Sequence, residues 1–200
     1  MRTKTLTVYN YSELSEEAKE RACQEMLEHF DYPWSGENRD TLTEFENNFP
    51  VTVKDFRYGS CNSFVDFDFT SDDKTEELTG VRLLKYLHNN YYDVLFKGKY
   101  YSKTKYVDGK FSSKHRHSKV QKENCCTLTG YYIDDAILKP IYEFLKNPVE
   151  HINFYDLMNE CLQSWLSAVN NDYEAMQSEE YLAEHAEVNE IEFDEDGNLA

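Results

Sequence analysis

Five residues of the types that bind zinc are the clustered candidates for a metal site. They are Cys61, His115, His117, Cys125 and Cys126. A structural zinc site usually takes two pairs of ligands, each pair separated by two to four residues. Adjacent cysteines and a His-x-His pair fit that spacing poorly, and both histidines stand among lysines that repel a cation. Solvated histidines and buried, reduced cysteines are the favoured interpretation, so we expect no metal and no other cofactor.

A carboxylate pair, Asp66 and Asp68, lies in the alternating run from Phe64 to Thr70. Two acids on one face of a strand can bind a divalent cation. Acids on the solvent face of an antiparallel strand are much more common, because such sheets expose one face to water. The favoured interpretation is therefore a hairpin strand with Val65, Phe67 and Phe69 directed to the core.

Catalytic signatures are absent from the sequence, which contains no GxGxxG, GxxxxGK[ST], HExxH or GxSxG motif. Separated cysteine, histidine and aspartate residues could still form a site after folding, but no pattern brings them together. We therefore predict that the protein is not an enzyme, and an unrecognised hydrolase is the third hypothesis.

Charge is distributed unevenly around a net value of −17. Residues 97–122 hold eight Lys and one Arg against the single acid Asp108, which gives +8. The remainder holds 12 bases against 37 acids, which gives −25. The chain thus reads as an acidic body with one basic insert, and such a body disfavours nonspecific binding of nucleic acid or anionic membranes.

The basic insert suggests direct nucleic-acid binding as an alternative function, since lysines contact phosphates and interleaved aromatic rings stack on bases. The candidate residues are Lys103, Lys105, Lys110, Tyr101 and Tyr106. Val107-Asp108-Gly109 supplies an Asp-Gly turn, which predicts a hairpin. Lysines also keep edge strands from pairing with other chains, and an acidic body repels a polyanion, so a soluble edge is the simpler interpretation.

Glutamates on the first and last predicted helices are the candidate contacts to a protein partner. They are Glu17, Glu20, Glu28, Glu180, Glu184 and Glu187. Such acids can imitate the phosphates of nucleic acid towards a protein that binds it. A structural interpretation exists for many of them, because acids in a first helical turn suit the helix dipole and Glu17 can pair with Arg21 four residues later.

A long amphipathic helix is the element that organises the core. From Phe154 to Met176, apolar residues recur at steps of three and four, Trp165 among them, with Asn153 as the N-cap. No Gly or Pro interrupts this stretch. We predict that its apolar face is core and not a cofactor site.

The remaining pattern predicts one α+β domain over residues 1–200, with 97–122 as an insert. A mainly antiparallel sheet, packed on one face by several helices, is expected from strands at Thr3–Tyr9, Val51–Phe56, Phe64–Phe69 and Cys125–Ile133. Helices are expected from Ser12 or Ser15 to Phe30, over 37–48, over 79–96, from Asp134 or Lys139 to Leu145, and over 179–188.

Composition favours a folded, cytoplasmic protein. The 16 Tyr and 12 Phe supply core side chains, and Gly and Pro are few. No apolar run exceeds three residues, and Met1 leads into an alternating segment, so we expect neither a membrane span nor a signal peptide. The five cysteines are an odd number, which favours reduced thiols over a disulfide framework.

Four stretches together resemble a group of uncharacterised proteins encoded by tailed bacteriophages. They are YSELSEEAKERA at 11–22, DYPW at 31–34, GVRLLKYL at 80–87 and EVNEIEFDEDG at 187–197. The group typically opens with ELSEEAKEKA and ends with EANEYEFTEDG, and some members carry an antitoxin-like label. Val188 and Ile191 depart from the usual Ala and Tyr.

The resemblance implies a phage accessory protein that acts in the host cytoplasm. Together with the acidity, it suggests inhibition of a host defence or nucleic-acid-handling protein by direct binding, as in anti-CRISPR or anti-restriction proteins. The alternative is an antitoxin or a nucleic-acid-binding regulator that uses the basic hairpin. Neither the target nor the oligomeric state follows from the residues.

Overall fold

The structure is a computed structural model that describes residues 7–59, 61–96 and 126–200, together with the backbone of four short strands between them. The helices are α1 (Glu16–Glu28), α2 (Ser35–Asn48), α3 (Asp73–Glu76), α4 (Gly80–Asn90), α5 (Tyr92–Leu95), α6 (Ile133–Lys146), α7 (Phe154–Ala175) and α8 (Glu179–Val188). The strands are β1 (Tyr9–Asn10), β2 (Val51–Arg57), β3 (Phe64–Phe69), β4 (Ser102–Lys103), β5 (Tyr106–Val107), β6 (Lys110–Phe111), β7 (His115–Arg116) and β8 (Glu192–Phe193). The predicted α+β class is confirmed.

The chain divides into two compact units. The terminal unit comprises Met1–Pro33 and Asn170–Ala200, and the central unit comprises Trp34–Val169. Whether the two units unfold together is not decided by their compactness, so a single domain stays a prediction.

The described strands pair only antiparallel, as predicted, and they form four two-stranded ladders: β1 with β8, β2 with β3, β4 with β7, and β5 with β6. In the longest ladder, Val51 lies opposite Phe69 and Arg57 opposite Phe64. Val65 and Phe67 are buried there while Asp66 and Asp68 are exposed, which confirms the predicted alternation. The predicted first strand falls partly outside the described residues, and β1 begins at Tyr9.

The predicted strand Cys125–Ile133 is wrong over its described part. Residues 126–132 form a loop and turns, and α6 begins at Ile133. The backbone N–H groups of Leu128, Thr129 and Gly130 all donate to the Asp134 carboxylate. Donors held by one carboxylate are not available to a strand ladder, so the segment curls around Asp134.

Helices α4 and α5 replace the single helix that the sequence predicts over 79–96. The interruption lies at Tyr91, whose ring stacks on Phe49 with the centroids 4.9 Å apart. The Asn90 side chain donates to the Tyr86 carbonyl at 2.8 Å, a local bond that competes with helix continuation.

Three predicted N-caps are confirmed, since Ser15, Asn153 and Ser178 each accept a backbone N–H three residues ahead.

Helix α6 begins at Ile133 and continues through Pro140, so Lys139, the later of the two predicted starts, is wrong. Proline has no N–H, so the carbonyl of Ala136, four residues earlier, loses its usual donor. Ser164 of α7 donates its hydroxyl to that carbonyl at 2.7 Å. A side chain from the neighbouring helix thus replaces the missing bond. Asp134 correspondingly lies inside the first turn of α6 instead of capping it.

We expect Ser164→Ala to lower the free energy of unfolding by about 1–2 kcal/mol, because the Ala136 carbonyl then lacks its donor. Ser167→Ala, at an exposed position of the same helix, is the matched control. In a Pro140→Ala background, the restored N–H should reduce the cost of Ser164→Ala. Urea unfolding of the four-variant cycle measures this coupling, and an equal cost in both backgrounds would contradict it.

The apolar face of α7 is buried, as predicted. Its completely or nearly completely buried members are Phe154, Leu157, Met158, Cys161, Leu162, Trp165, Leu166 and Val169. Trp165 is 0% exposed and makes an edge contact with Phe56 at 5.4 Å between ring centroids. Its Nε1 has no hydrogen-bond partner among the described residues, so the indole stabilises the core by apolar contact.

Trp165→Ala should cost about 3–5 kcal/mol of unfolding free energy, the usual range for deleting a core aromatic side chain. Trp165→Phe should cost clearly less, because it keeps a ring and sacrifices no hydrogen bond. Gln163→Ala, at an exposed position of α7, serves as the control. Chemical denaturation followed by circular dichroism gives the values, and a cost below about 1 kcal/mol would show that the indole is at the surface.

Candidate functional site

The terminal unit is built around a small core beneath α1 and α8. Its buried members are Tyr11, Leu14, Ala18, Ala22, Cys23, Met26, Leu182, Ala186 and Phe193. The Tyr11 hydroxyl lies 3.2 Å from the Cys23 thiol. Burial, assisted by this hydrogen bond, raises the pKa of Tyr11, so the phenol stays protonated. The two helices are therefore held by an apolar layer and not by ion pairs.

The last residues close over this core through a tight turn. The Asp194 carboxylate accepts the Asn198 side-chain amide at 2.8 Å and the backbone N–H groups of Asp196 and Asn198. These hydrogen bonds, that of the Asn198 side chain first, lower the pKa of Asp194. Gly197 has a φ of 89°, and a Cβ there would collide with the carbonyl oxygen of Ala18. Glycine is thus required where the turn meets α1.

The predicted partner-binding glutamates all lie on exposed positions of the terminal unit. Three of them, Glu17, Glu20 and Glu28, are on α1, and the other three are Glu180, Glu184 and Glu187 on α8. None of the six forms an ion pair with another described residue. Arg21 contacts Asp196 at 3.5 Å instead of the predicted Glu17. Their charge is consequently free to act on a partner.

The acidity of the chain is concentrated in the terminal unit. This unit holds 18 acids against four Lys and Arg, or −14, whereas the central unit holds 20 acids against 17, or −3. The two values account for the net charge of −17. The sequence showed an acidic body. The division into units shows that the terminal unit, about a third of the chain, carries most of the excess negative charge.

A half-open cleft of about 310 Å³ lies wholly within the terminal unit. The lining residues are Met26, His29, Phe30, Asp31, Pro33, Met176, Tyr181, Leu182, His185, Ile191 and Leu199. They come from the end of α1, the end of α7, α8 and the closing segment. Sequence reasoning missed this cleft, because its walls are up to 173 residues apart and no motif marks them.

The candidate zinc ligands do not form a site in the described part of the chain. Cys61 is exposed and Cys126 is half-buried, while His117 and Cys125 lie outside the described residues. His115 is described only as backbone in β7. No group of three or more His, Cys, Asp or Glu suited to a metal occurs among the residues with described side chains. Asp68 instead pairs with Lys54 at 2.6 Å.

The predicted basic hairpin is supported by backbone pairing. Val107 lies opposite Lys110, and Lys103 lies opposite His115. This register agrees with the predicted turn between Val107 and Lys110. Tyr106 is in β5, whereas Tyr101 and Lys105 lie outside the described residues, as does most of the insert 97–122.

Asp134 of the central unit is a buried carboxylate that sequence reasoning treated only as a helix cap. Its Oδ2 accepts the N–H groups of Leu128, Thr129 and Gly130 at 2.8–3.0 Å, and its Oδ1 accepts the hydroxyls of Thr41 and Thr129 at 3.1 and 2.8 Å. Five donors satisfy both oxygens. The arrangement suits an anchor that fastens the loop to α2 and α6, rather than a general base.

Comparisons with protein-family models, curated proteins and solved structures find no match for this chain. The resemblance to the phage group therefore stays a prediction. Among the described residues, no helix has both the length and the hydropathy that a bilayer span needs.

Asp134→Asn should destabilise the protein by about 1–3 kcal/mol, because an amide presents N–H donors to groups that are themselves donors. Asp135→Asn removes the same charge at the adjacent exposed position and should change stability by less than about 0.5 kcal/mol. Thermal and urea unfolding of the two variants separate the effect of losing a charge from the effect of losing the hydrogen bonds of the Asp134 carboxylate. Similar losses in both variants would contradict an anchoring role.

Proposed function

We propose that this protein is a phage accessory protein that binds and inhibits a host defence or nucleic-acid-handling protein. The terminal unit supplies the contact surface, and its carboxylates compete for the basic surface on which the target holds nucleic acid. The concentration of −14 in the terminal unit is the single observation that carries the proposal.

The physical basis is long-range attraction followed by a specific contact. A surface of one sign accelerates encounter with a partner of opposite sign and disfavours wrong partners. Nucleic-acid-binding proteins carry Lys and Arg on the surface that meets phosphate. The six candidate glutamates of α1 and α8 are exposed and form no ion pair with another described residue, so no internal pair has to be broken for them to engage such a surface.

The helices give this charge a fixed geometry. At about 1.5 Å of rise per residue, Glu17 and Glu28 are about 16 Å apart along α1, and Glu17 and Glu20 are about 4.5 Å apart. Phosphates of one DNA strand repeat at about 3.4 Å along the duplex axis. The glutamate spacing is wider, so we infer that the surface offers a fixed negative field and does not copy the phosphate positions one by one.

The second candidate is an antitoxin or nucleic-acid-binding regulator that uses the basic hairpin. The observation in its favour is the paired backbone of the insert, in which Lys103 belongs to the β4–β7 ladder and Lys110 to the β5–β6 ladder. This candidate assigns binding to the lysines and gives the acidic unit no direct role.

The two candidates predict opposite sensitive residues. The partner would be obtained by affinity capture from infected cells and identified by mass spectrometry, and its affinity for purified variants would then be titrated. Reversing Glu17, Glu20 and Glu28, or Glu180, Glu184 and Glu187, to Lys should weaken binding at least about tenfold, because the attraction becomes repulsion. Moderate salt should also weaken wild-type binding.

Reversal of Asp40, Glu143 and Glu160, which are exposed acids of the central unit, is the control with the same change in net charge. It should leave the affinity within about threefold of wild type, since screened surface charges away from the contact contribute little. A gel shift of DNA and RNA tests the second candidate directly. A wild-type shift at low salt that only the Lys103, Lys105 and Lys110→Ala variant abolishes would overturn the inhibitor proposal.

A further inference from the structure

The floor of the cleft in the terminal unit is apolar and adaptable. Met26, Met176 and Leu182 are each less than 10% exposed and form its base. Methionine side chains have three rotatable bonds and a polarisable sulfur, so they adjust to inserted groups of different shape. Ile191 and Leu199 extend the apolar surface to the rim, where Leu199 is 38% exposed. The cleft therefore has an accessible apolar surface at its mouth.

The polar groups of the cleft are few and lie at exposed positions. His29, Asp31 and His185 are exposed, and the lining contains neither Lys nor Arg. His185 is held in place, because its ring stacks on Tyr181 at 6.0 Å and its Nδ1 lies 3.0 Å from the Asn189 side-chain amide nitrogen. Asp31 is the only acidic residue of the lining.

The composition of the cleft favours a side chain of a protein over a small ligand. Small-molecule sites usually enclose about 300–1,000 Å³ and direct several polar groups at the ligand. At about 310 Å³, this cleft is at the small end, is open on one side, and has no convergent set of donors. Buried apolar anchors in pockets of this kind, surrounded by weaker polar contacts, dominate the affinity of protein interfaces.

We propose that the cleft binds one aromatic or long aliphatic side chain from a Lys- and Arg-rich segment of the partner. This inference rests on the proposed function and specifies the segment that the acidic unit recognises. The apolar side chain contacts Met26, Met176 and Leu182, and the flanking basic residues face the surrounding carboxylates. Charge complementarity selects the occupant, since a unit at −14 repels an apolar anchor that is carried on an acidic segment.

Three probe peptides of nine residues test the proposal with the full-length protein. The first has a central Phe flanked by four Lys and four Arg, the second replaces Phe by Ala, and the third keeps Phe between eight Glu. Fluorescence anisotropy at low salt gives the affinities. We expect the basic Phe peptide to bind at least about tenfold more tightly than the basic Ala peptide, because only Phe buries a large apolar side chain. The Glu peptide should not bind.

Methionine methyl NMR locates the contact. The basic Phe peptide should shift the ε-methyl signals of Met26 and Met176, whereas Met158, buried in the central unit, provides an internal reference that should not move. Leu199→Gln, at the rim, should weaken the Phe peptide about fivefold or more by removing apolar contact area. Val188→Gln is the matched control, because Val188 is 74% exposed on α8 and does not line the cleft.

Each contrary result overturns a defined part of the proposal. Equal affinity of the basic Phe and Ala peptides would overturn the cleft as an anchor site, and would leave the acidic contact surface standing. Equal affinity of the Glu and Lys/Arg Phe peptides would overturn the basic nature of the occupant. If neither basic peptide binds, both the cleft proposal and the charge attraction on which it rests are overturned. If the peptide binds but the Met26 and Met176 signals do not change, the contact lies elsewhere and the cleft proposal is overturned.

Discussion

Burial of the apolar face of α7 is the interaction on which the central unit depends. Trp165, Phe154 and Met158 are completely buried along one side of the helix, and rings from the β2–β3 hairpin contact Trp165 and Phe154. A fully apolar layer has no directional bonds of its own, so polar contacts at its margin fix the positions of the neighbouring elements. Ser164 does so for α6 by completing the hydrogen bonding at Pro140, and Asp134 does so for the loop before α6.

The terminal unit faces a different physical problem, because it concentrates −14 of charge around a small core. Mutual repulsion of carboxylates opposes compaction. The structure offsets this with acids at the starts of α1 and α8, where the helix dipoles stabilise them, and with the turn in which Asp194 accepts several N–H groups. A surface that costs stability to maintain is consistent with the binding role that we propose for this unit.

In the mechanism that we propose, the cleft and the acidic helices act as parts of one recognition surface. Charge alone draws a partner in and selects its sign, but it discriminates poorly between basic proteins. An apolar site that takes one side chain adds the short-range selectivity that a screened field lacks. The basic insert of the central unit has the opposite sign, and the competing regulator hypothesis depends on it.

The sequence by itself determined the elements whose causes are local. The 3.6-residue period identified α7 and α1, the strict alternation at 64–69 identified β3, and Ser15, Asn153 and Ser178 marked helix starts. The exposed glutamates also followed from that period. The loop before α6 has a local cause that the residue pattern did not indicate, because Asp134 accepts N–H groups only four to six residues before it. Other features formed only on folding, because their partners lie far along the chain: Ser164 lets α6 pass through Pro140, and Thr41, 93 residues before Asp134, donates to its carboxylate. The cleft belongs to this second class, since its walls come from both ends of the chain and meet only after folding.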